Sequence, residues 1–376
     1  KAHRSGNGGK KLPGIVAVRL PATRQTCKAG GYNVEKVSFR RAERRRSAPS
    51  DRRSSSPQGA FSMTEYSLLF PGQGSQVPGM GRDVAEARPE AMQLWKRAEA
   101  VSGLPLREIF WEGDDDAMSD TRALQPALTV VNINLWRELS GRVTACSAAG
   151  HSLGEFSALA AAQVLDEESV LRIVSLRGQL MAEADPDRRG GMAALLKMTP
   201  ETVAEIVAEA AKETDSLLIV ANYNTPGQLV ASGTREAVEC VCAKAKERKG
   251  RAIALAVSGA FHSPMMDKAN RELEPLLRKA VWRKPRFPVY CNVLGTPVTD
   301  GESARDVMLR QMTSSVQWID TMRNEFRDGA RHWLELGPKP LLGKMVAPCV
   351  KDVASPEEQE AVSVAFVGTL EDAENF

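Results

Sequence analysis

The feature that most constrains the fold of this chain is Gly150-His151-Ser152-Leu153-Gly154, a G-x-S-x-G pattern. It stands between a predicted buried strand at residues 142–147 and a predicted helix that begins near Phe156. A strand, a tight turn and a helix in this order are typical of a nucleophile elbow, which raises a serine above the carboxyl end of a sheet. The five residues alone are common in proteins, so a nucleophilic role for Ser152 needs support from the rest of the chain.

Predicted strands and helices alternate from Tyr66–Phe70 onward, which is typical of a mostly parallel sheet with helices on both faces. After residue 188 the predicted order changes to β-α-β-β-α-β, the order of a ferredoxin-like unit. We therefore expect an α/β fold with an α/β-hydrolase-like core formed by residues 63–188 and 258–376. A small ferredoxin-like α+β subdomain at residues 189–257 is inserted into this core.

Charge is distributed unevenly along the 376 residues. Residues 1–62 hold 15 lysines and arginines against 3 acidic residues, which leaves 35 basic and 44 acidic residues, a net charge of −9, from Met63 onward. A body of this charge argues against nucleic acid as the partner, and no apolar run approaches the ~18 residues of a membrane span.

The segment 1–62 is predicted to be a disordered basic leader or a non-native extension, with the working protein beginning at Met63. Its arginine- and serine-rich composition also resembles an organellar transit peptide, which would place the protein in a plastid or mitochondrion instead of the cytoplasm. The six cysteines are scattered, and Cys240-Val241-Cys242 has the wrong spacing for a zinc site, so free thiols in a reducing compartment are expected.

A serine nucleophile needs a base, and the chain holds only four histidines. His3 lies in the leader, His151 adjoins Ser152 in a turn where neighbouring side chains diverge, and His332 lies in a predicted interior strand. His262 remains as the general base. A lipase would place its histidine near the C-terminus after an acidic partner, but more than 100 residues follow His262 and no acid stands out. A backbone carbonyl is therefore a possible orienting group for the imidazole.

The predicted helix 169–184 carries a charged residue within its apolar stripe. Arg177 falls on the same face as a set of apolar residues at helical spacing, namely Val170, Ile173, Val174, Leu180, Met181 and Ala184. A buried guanidinium is costly unless it is paired. Two interpretations follow: a structural ion pair with an unidentified acid, or a bidentate clamp for a substrate carboxylate.

Seven motifs together resemble the malonyl-CoA:acyl-carrier-protein transacylase family, the acyltransferases of fatty-acid and polyketide synthesis. The resemblance extends from about Met63 to Val350, and its order and spacing are highly specific. The motifs are Phe70–Gln76, Gly150–Glu155, Leu176–Gly178, Asn222–Gln228, Gly259–His262, Val316–Trp318 and Glu335–Pro338.

The resemblance implies a role for each matching position. Ser152 would be the nucleophile and His262 the base, and the backbone N–H groups of Gln73 and Leu153 would form the oxyanion hole. The main-chain carbonyl of Gln317 would orient the histidine.

The remaining implied positions concern the substrate. Arg177 would hold the malonyl carboxylate, and Asn222 and Asn224 match a motif that faces the pocket. The implied reaction moves malonyl from malonyl-CoA to the phosphopantetheine thiol of holo acyl carrier protein. It needs no metal and no bound cofactor, and we expect a monomer.

Other functions fit part of this pattern. A serine hydrolase or thioesterase would use the same elbow, a related acyltransferase of polyketide synthesis would share every motif, and a non-catalytic scaffold would keep only the fold. Because carrier proteins are acidic as a class, a basic helix face is one docking hypothesis, and an ordinary solvated face is the alternative. The residues concerned are Lys244, Lys246, Arg248, Lys249 and Arg251.

Overall fold

The computed structural model describes residues 64–257 and 259–376, so the predictions for the leader lie outside the described residues. The described strands are β1 (Glu65–Phe70), β2 (Thr144–Gly150), β3 (Gly190–Leu196), β4 (Leu218–Thr225), β5 (Gln228–Thr234), β6 (Arg251–Ala254), β7 (Val289–Tyr290), β8 (Pro297–Val298), β9 (His332–Leu336) and β10 (Ser363–Val367).

Helices fill most of the sequence between these strands. They are α1 (Arg82–Ala87), α2 (Pro89–Ser102), α3 (Leu106–Trp111), α4 (Asp115–Ser119), α5 (Thr121–Leu139), α6 (Gly154–Ala161), α7 (Glu167–Glu183), α8 (Pro200–Glu213), α9 (Arg235–Glu247), α10 (Asp267–Lys279), α11 (Gly301–Met308), α12 (Trp318–Arg327), α13 (Gly343–Val350), α14 (Pro356–Glu360) and α15 (Leu370–Asn375). Short 3₁₀ turns occur at Pro264–Met266 and Gln311–Thr313.

The main sheet has six strands in the order β10-β9-β1-β2-β7-β8. All neighbours are parallel except β7 and β8, which form an antiparallel pair at one edge. Successive residues of β1 belong to different cores, because Leu68 and Phe70 pack with α5 and α6 whereas Leu69 packs with α12 and α13. Both faces of the sheet are therefore covered by helices, as expected for a parallel sheet, and the predicted α/β fold class is confirmed.

The second sheet has four strands in the order β4-β5-β3-β6, all antiparallel. Helices α8 and α9 contribute Val203, Ile206 and Val241 to a separate small core with Leu195 and Leu229. Its β-α-β-β-α-β connection and strand order are those of a ferredoxin-like unit, which confirms the predicted insert. The boundaries proposed for the core and the insert stay a prediction.

Two smaller expectations concern the body of the protein. In the described part of the chain, no helix combines the length and apolarity needed to cross a membrane. The five cysteines within it are all free thiols. The predicted compartment and the predicted monomer are not tested by these observations and stay predictions.

Candidate active site

The turn that carries Ser152 lies between the end of β2 and the start of α6. Ser152 has a φ of 52°, a left-handed conformation that costs free energy for a residue with a side chain. Gly154 must be glycine, because a Cβ there would overlap the carbonyl of Phe70 at the end of β1. The main-chain N–H of Ser152 donates to Oδ1 of Asn292, which follows β7, at 2.6 Å. The strained turn is thus held by both neighbouring strands.

Ser152 and His262 form a hydrogen-bonded pair, with Oγ and Nε2 2.7 Å apart. The imidazole is 4% exposed, and its Nδ1 lies 3.1 Å from each of two main-chain carbonyls, those of Gln311 and Ser314. Because a carbonyl only accepts, the proton resides on Nδ1 and Nε2 is free to accept from the serine hydroxyl. The hypothesis that a backbone carbonyl orients the histidine agrees with this geometry, and no carboxylate is needed.

The expectation that Gln317 supplies this carbonyl is wrong. Gln317 is the N-cap residue of α12, and its carbonyl accepts from the main-chain N–H of Thr321 at 2.9 Å and from the Thr321 hydroxyl at 3.0 Å. A carbonyl at this position begins the hydrogen bonding of a helix and points along the helix axis. The carbonyls of Gln311 and Ser314, at the start of the 3₁₀ turn and just after its end, face the imidazole instead.

Gln73, in the loop that follows β1, and Leu153, next to Ser152 in the elbow, line the same cavity as the serine. A Cβ at Gly72 would lie 2.5 Å from the carbonyl oxygen of His151 and 3.5 Å from the main-chain nitrogen of Leu153, so only glycine permits this approach. Within the described residues, neither Gln73 nor Leu153 donates its N–H to a backbone carbonyl. Two N–H groups are therefore available beside Ser152, as an oxyanion hole requires.

Arg177 projects from α7 into the site and is 1% exposed. Nη2 donates to Ser152 Oγ and to Gln311 Oε1, both at 3.1 Å, and Nη1 donates to Gln125 Oε1 at 2.9 Å. Nε has no partner in the described part of the chain. All these acceptors are neutral, so no salt bridge holds Arg177 within the described residues, although the nearby carboxyl of Glu155 favours its charge through space. Burial lowers the pKa of Arg177 to about 10, so it remains a cation at neutral pH.

Burial, with the charge of Arg177 second, lowers the pKa of His262 to about 3. The ring is therefore neutral at physiological pH and ready to accept a proton. Burial also raises the pKa of Glu155 to about 7, against the opposing effect of its hydrogen bond from Gln311. Both shifts follow from one cause, the removal of ionisable groups from water.

Gln311 and Asn292 connect the parts of the site. Gln311 Nε2 donates to the carbonyl of Ser152 at 2.7 Å and to Glu155 Oε2 at 2.9 Å, while its Oε1 accepts from Arg177. Asn292 Nδ2 donates to the Gly150 carbonyl at 2.6 Å, and its main-chain N–H donates to Glu155 Oε1 at 3.2 Å. These bonds fix the elbow on both sides of Ser152.

The structure places His151, Asn222 and Asn224 along the wall of the same cavity. His151 donates from Nε2 to Asn224 Oδ1 at 2.8 Å and packs against the ring of Trp318. Its burial lowers its pKa, so it is a neutral wall residue. The prediction that neighbours in the turn diverge fits this placement, because His151 bonds to Asn224 whereas Ser152 bonds to His262.

Sequence reasoning missed Gln125, Gln311 and Asn292. Gln125 carries a signal, since it is a polar residue at the start of the long, almost fully buried helix α5. The sequence gives no signal for Gln311 or Asn292, because each lies in a short irregular segment with no periodic pattern around it.

The proposed basic docking face is partly neutralised. Lys244 pairs with Glu213 at 2.7 Å, and Arg248 pairs with Glu209 at 2.9 Å, both acids being on the neighbouring helix α8. These contacts favour the alternative of an ordinary solvated face.

Comparisons with known proteins agree with this geometry. The model of the family described as "Acyl transferase domain" matches residues 68–375. The malonyl CoA-acyl carrier protein transacylase of Escherichia coli K12 is 36% identical over 288 residues, which cover 74% of this chain and 91% of that protein. A crystal structure of an acyl carrier protein S-malonyltransferase from Vibrio cholerae has a TM-score of 0.76 and 32% identity, with 83% of this chain and 99% of that chain covered.

A further similar structure is that of a malonyl-transacylase in complex with its acyl-carrier protein of type II PKS. It has a TM-score of 0.76 and 32% identity, and the match covers 83% of this chain and 98% of that one.

Proposed function

Because this chain belongs to the acyl transferase domain family, as the resemblance predicted, we propose that it transfers malonyl from malonyl-CoA to holo acyl carrier protein. The acyl group is carried on Ser152 between two half-reactions. The names of the similar proteins support this substrate pair, and the arrangement of Ser152, His262 and Arg177 supports the route.

The observation that carries the proposal is the pair of contacts at Ser152 Oγ. His262 Nε2 lies 2.7 Å from this oxygen, and Arg177 Nη2 lies 3.1 Å from it. A base activates the hydroxyl, and a buried cation lies where the acyl group will be attached. A cation in that position selects an acyl group with its own carboxylate, since only an anion offsets the cost of burying the guanidinium.

The first half-reaction begins when Nε2 of His262 takes the proton of Ser152. Oγ attacks the thioester carbonyl, and the N–H groups of Gln73 and Leu153 donate to the oxyanion, at ~3–4 kcal/mol of transition-state stabilisation each. The C–S bond then breaks, and the CoA sulfur leaves with the proton from His262. In the second half-reaction, the carrier's thiol gives its proton to His262 and its sulfur attacks the acyl-serine carbonyl; the ester C–O bond then breaks, and Ser152 Oγ takes the proton back from His262.

The substrate carboxylate also acts on the base. The charge of Arg177 is the second cause of the low pKa of His262. When the malonyl carboxylate pairs with Arg177, this second contribution is offset and the pKa of the imidazole rises, while the larger effect of burial remains. The imidazole is therefore a stronger base with an acidic acyl group bound than with an uncharged one, which adds discrimination between them.

The proposal is tested by incubating the protein with labelled malonyl-CoA, with and without holo carrier protein. We expect labelled Ser152 in the absence of carrier and labelled carrier in its presence, and no labelling of the protein in a Ser152→Ala variant. Rapid release of free malonate would identify a hydrolase, and no labelled product would identify a scaffold. Either result would contradict the proposed transfer.

A further inference from the structure

A second cavity, of about 600 Å³, adjoins the catalytic one. Gln73 and Val257 line both cavities, so the two cavities share a wall at these residues. The second cavity is lined by three arginines, Arg122, Arg188 and Arg235, together with the acids Asp120 and Glu183. The proposed function has so far given no role to this basic extension of the site.

The loop that carries Arg188 is fixed by hydrogen bonds. The buried carboxylate of Asp185 accepts from the main-chain N–H of Arg189 at 2.9 Å and of Gly190 at 2.6 Å. The guanidinium of Arg235 donates to the carbonyl of Arg188 from Nε at 3.2 Å and from Nη2 at 2.9 Å. Arg188 itself has a φ of 52°, a costly conformation that these bonds maintain.

This loop also contacts the segment of the catalytic histidine. A Cβ at Gly190 would lie 2.8 Å from the main-chain nitrogen of Ala260, two residues before His262. The end of this loop therefore packs closely against the segment that carries His262.

The arginines differ in how far their charge is already offset. Arg122 pairs with Asp120 at 2.6 Å, and Glu183 accepts from Gln179 at 3.2 Å. Among the described residues, Arg188 and Arg235 form no salt bridge, and the known acceptor of Arg235 is a neutral carbonyl. Two guanidinium groups therefore line a cavity that also contains Glu183, and within the described part of the chain neither is engaged in a salt bridge, which leaves both available to bind a phosphate.

We propose that Arg188 and Arg235 bind the phosphate of the phosphopantetheine arm, whose sulfur end reaches Ser152 past Gln73. This inference rests on the proposed function, in which both substrates carry that arm, one as part of CoA and the other on the carrier protein. The shared group would be held at one place in both half-reactions. Arg188 provides a charge for the phosphate, and Arg235 both provides a charge and holds the loop of Arg188.

The direct test is calorimetric binding of 4′-phosphopantetheine and of pantetheine, which lacks the phosphate. Arg188→Gln should weaken phosphopantetheine binding by about fivefold, the scale of one exposed charge-assisted contact, and leave pantetheine binding unchanged. Arg188→Lys should retain part of the affinity. The control is Arg189→Gln, since Arg189 lies in the same loop, pairs with Asp187 and does not line the cavity. Equal effects on both compounds, or none, would overturn the assignment.

Kinetics separate the sources of the phosphate. Arg188→Gln should raise the KM for malonyl-CoA and the KM for holo carrier protein by similar factors, and both effects should be larger at low salt. The value of kcat should not change. The KM for malonyl-pantetheine, which lacks the phosphate, should also stay the same. A higher KM for malonyl-CoA alone would mean that Arg188 binds the nucleotide phosphates of CoA. A higher KM for the carrier alone would mean that Arg188 contacts the surface of the carrier protein. Either result would contradict the inference. If the unaltered protein binds phosphopantetheine through Arg188 but transfers no malonyl, the proposed function fails and the phosphate site stands.

Discussion

Replacing Arg177 by alanine removes the only described cation that contacts Ser152 Oγ, the atom that we propose carries the acyl group. The guanidinium is 1% exposed, so its pair with a malonyl carboxylate would be largely shielded from water. Breaking a buried ion pair costs about 3–5 kcal/mol, and we take the lower value because the cavity opens to solvent. At ~1.4 kcal/mol per tenfold change, malonyl transfer should fall by roughly 100-fold in kcat/KM.

Acetyl transfer should fall far less and can rise, because an acetyl group offers no carboxylate and the variant no longer leaves a buried cation unpaired. The assay compares malonyl-CoA and acetyl-CoA as donors to the same holo carrier protein, beside thermal unfolding of each variant. The matched control is Arg172→Ala on the same helix, where the exposed side chain pairs only with Glu168 in the described residues. This control should change neither activity.

A parallel loss of malonyl and acetyl transfer, in a protein whose melting temperature has dropped by several degrees, would refute the reasoning. It would mean that Arg177 acts by holding Gln125 and Gln311 in place and that the carboxylate clamp does not exist. An unchanged malonyl rate in a stable protein would refute it equally.

Three further expectations follow from the same contacts. In Gly72→Ala the new Cβ would lie 2.5 Å from the His151 carbonyl oxygen, so the loop must shift and displace the N–H of Gln73. We expect kcat to fall by about 100-fold while the KM for substrate changes little. An unchanged kcat would show that Gln73 is not part of the oxyanion hole. In Arg177→Ala the pKa of His262 should rise from about 3, because one of the charges that lowers it is removed. The acid limb of the pH profile for acetyl transfer should therefore move to higher pH. An acid limb at the same pH in both proteins would contradict this expectation. Burial raises the pKa of Glu325 from 4.5 to about 7, so ionisation of this carboxyl opposes folding and the free energy of unfolding should decline as pH rises through that interval. Urea unfolding of Glu325→Gln at pH 5 and pH 7 should show a smaller decline than the unaltered protein. An equal decline in both proteins would assign the pH dependence to other groups.

The sequence was sufficient for the parts of the site that depend on local order. A strand, a glycine-flanked serine and a helix in succession can form only a tight turn, so the position of Ser152 followed from neighbours within a few residues. The choice of His262 followed by elimination, because the chain offers so few histidines. The alternation of strand and helix likewise predicted both sheets, since each connection has a limited set of topologies.

Arg177 shows where the local pattern becomes insufficient. Helical periodicity placed it on the buried face of α7, but its partners come from α5 and from the turn at Gln311–Thr313. No spacing along the chain shows whether a distant acid meets a buried cation. Only the packed structure reveals that the acceptors are the neutral amides of Gln125 and Gln311 and a serine hydroxyl.

What the sequence determined by itself was therefore the elbow, the pairing of His262 with Ser152 and the class of fold, because each depends on short-range order or on composition. The tertiary structure decided which carbonyls orient His262, and it replaced Gln317 by Gln311 and Ser314. A main-chain carbonyl has the same chemistry at every position, so its role is set by where its peptide lies and what else it must bond. At Gln317 the start of a helix takes the carbonyl, whereas the short turn at Gln311–Thr313 directs the carbonyls of Gln311 and Ser314 toward the imidazole, although the Gln311 carbonyl also accepts from the Ser314 N–H at 3.4 Å.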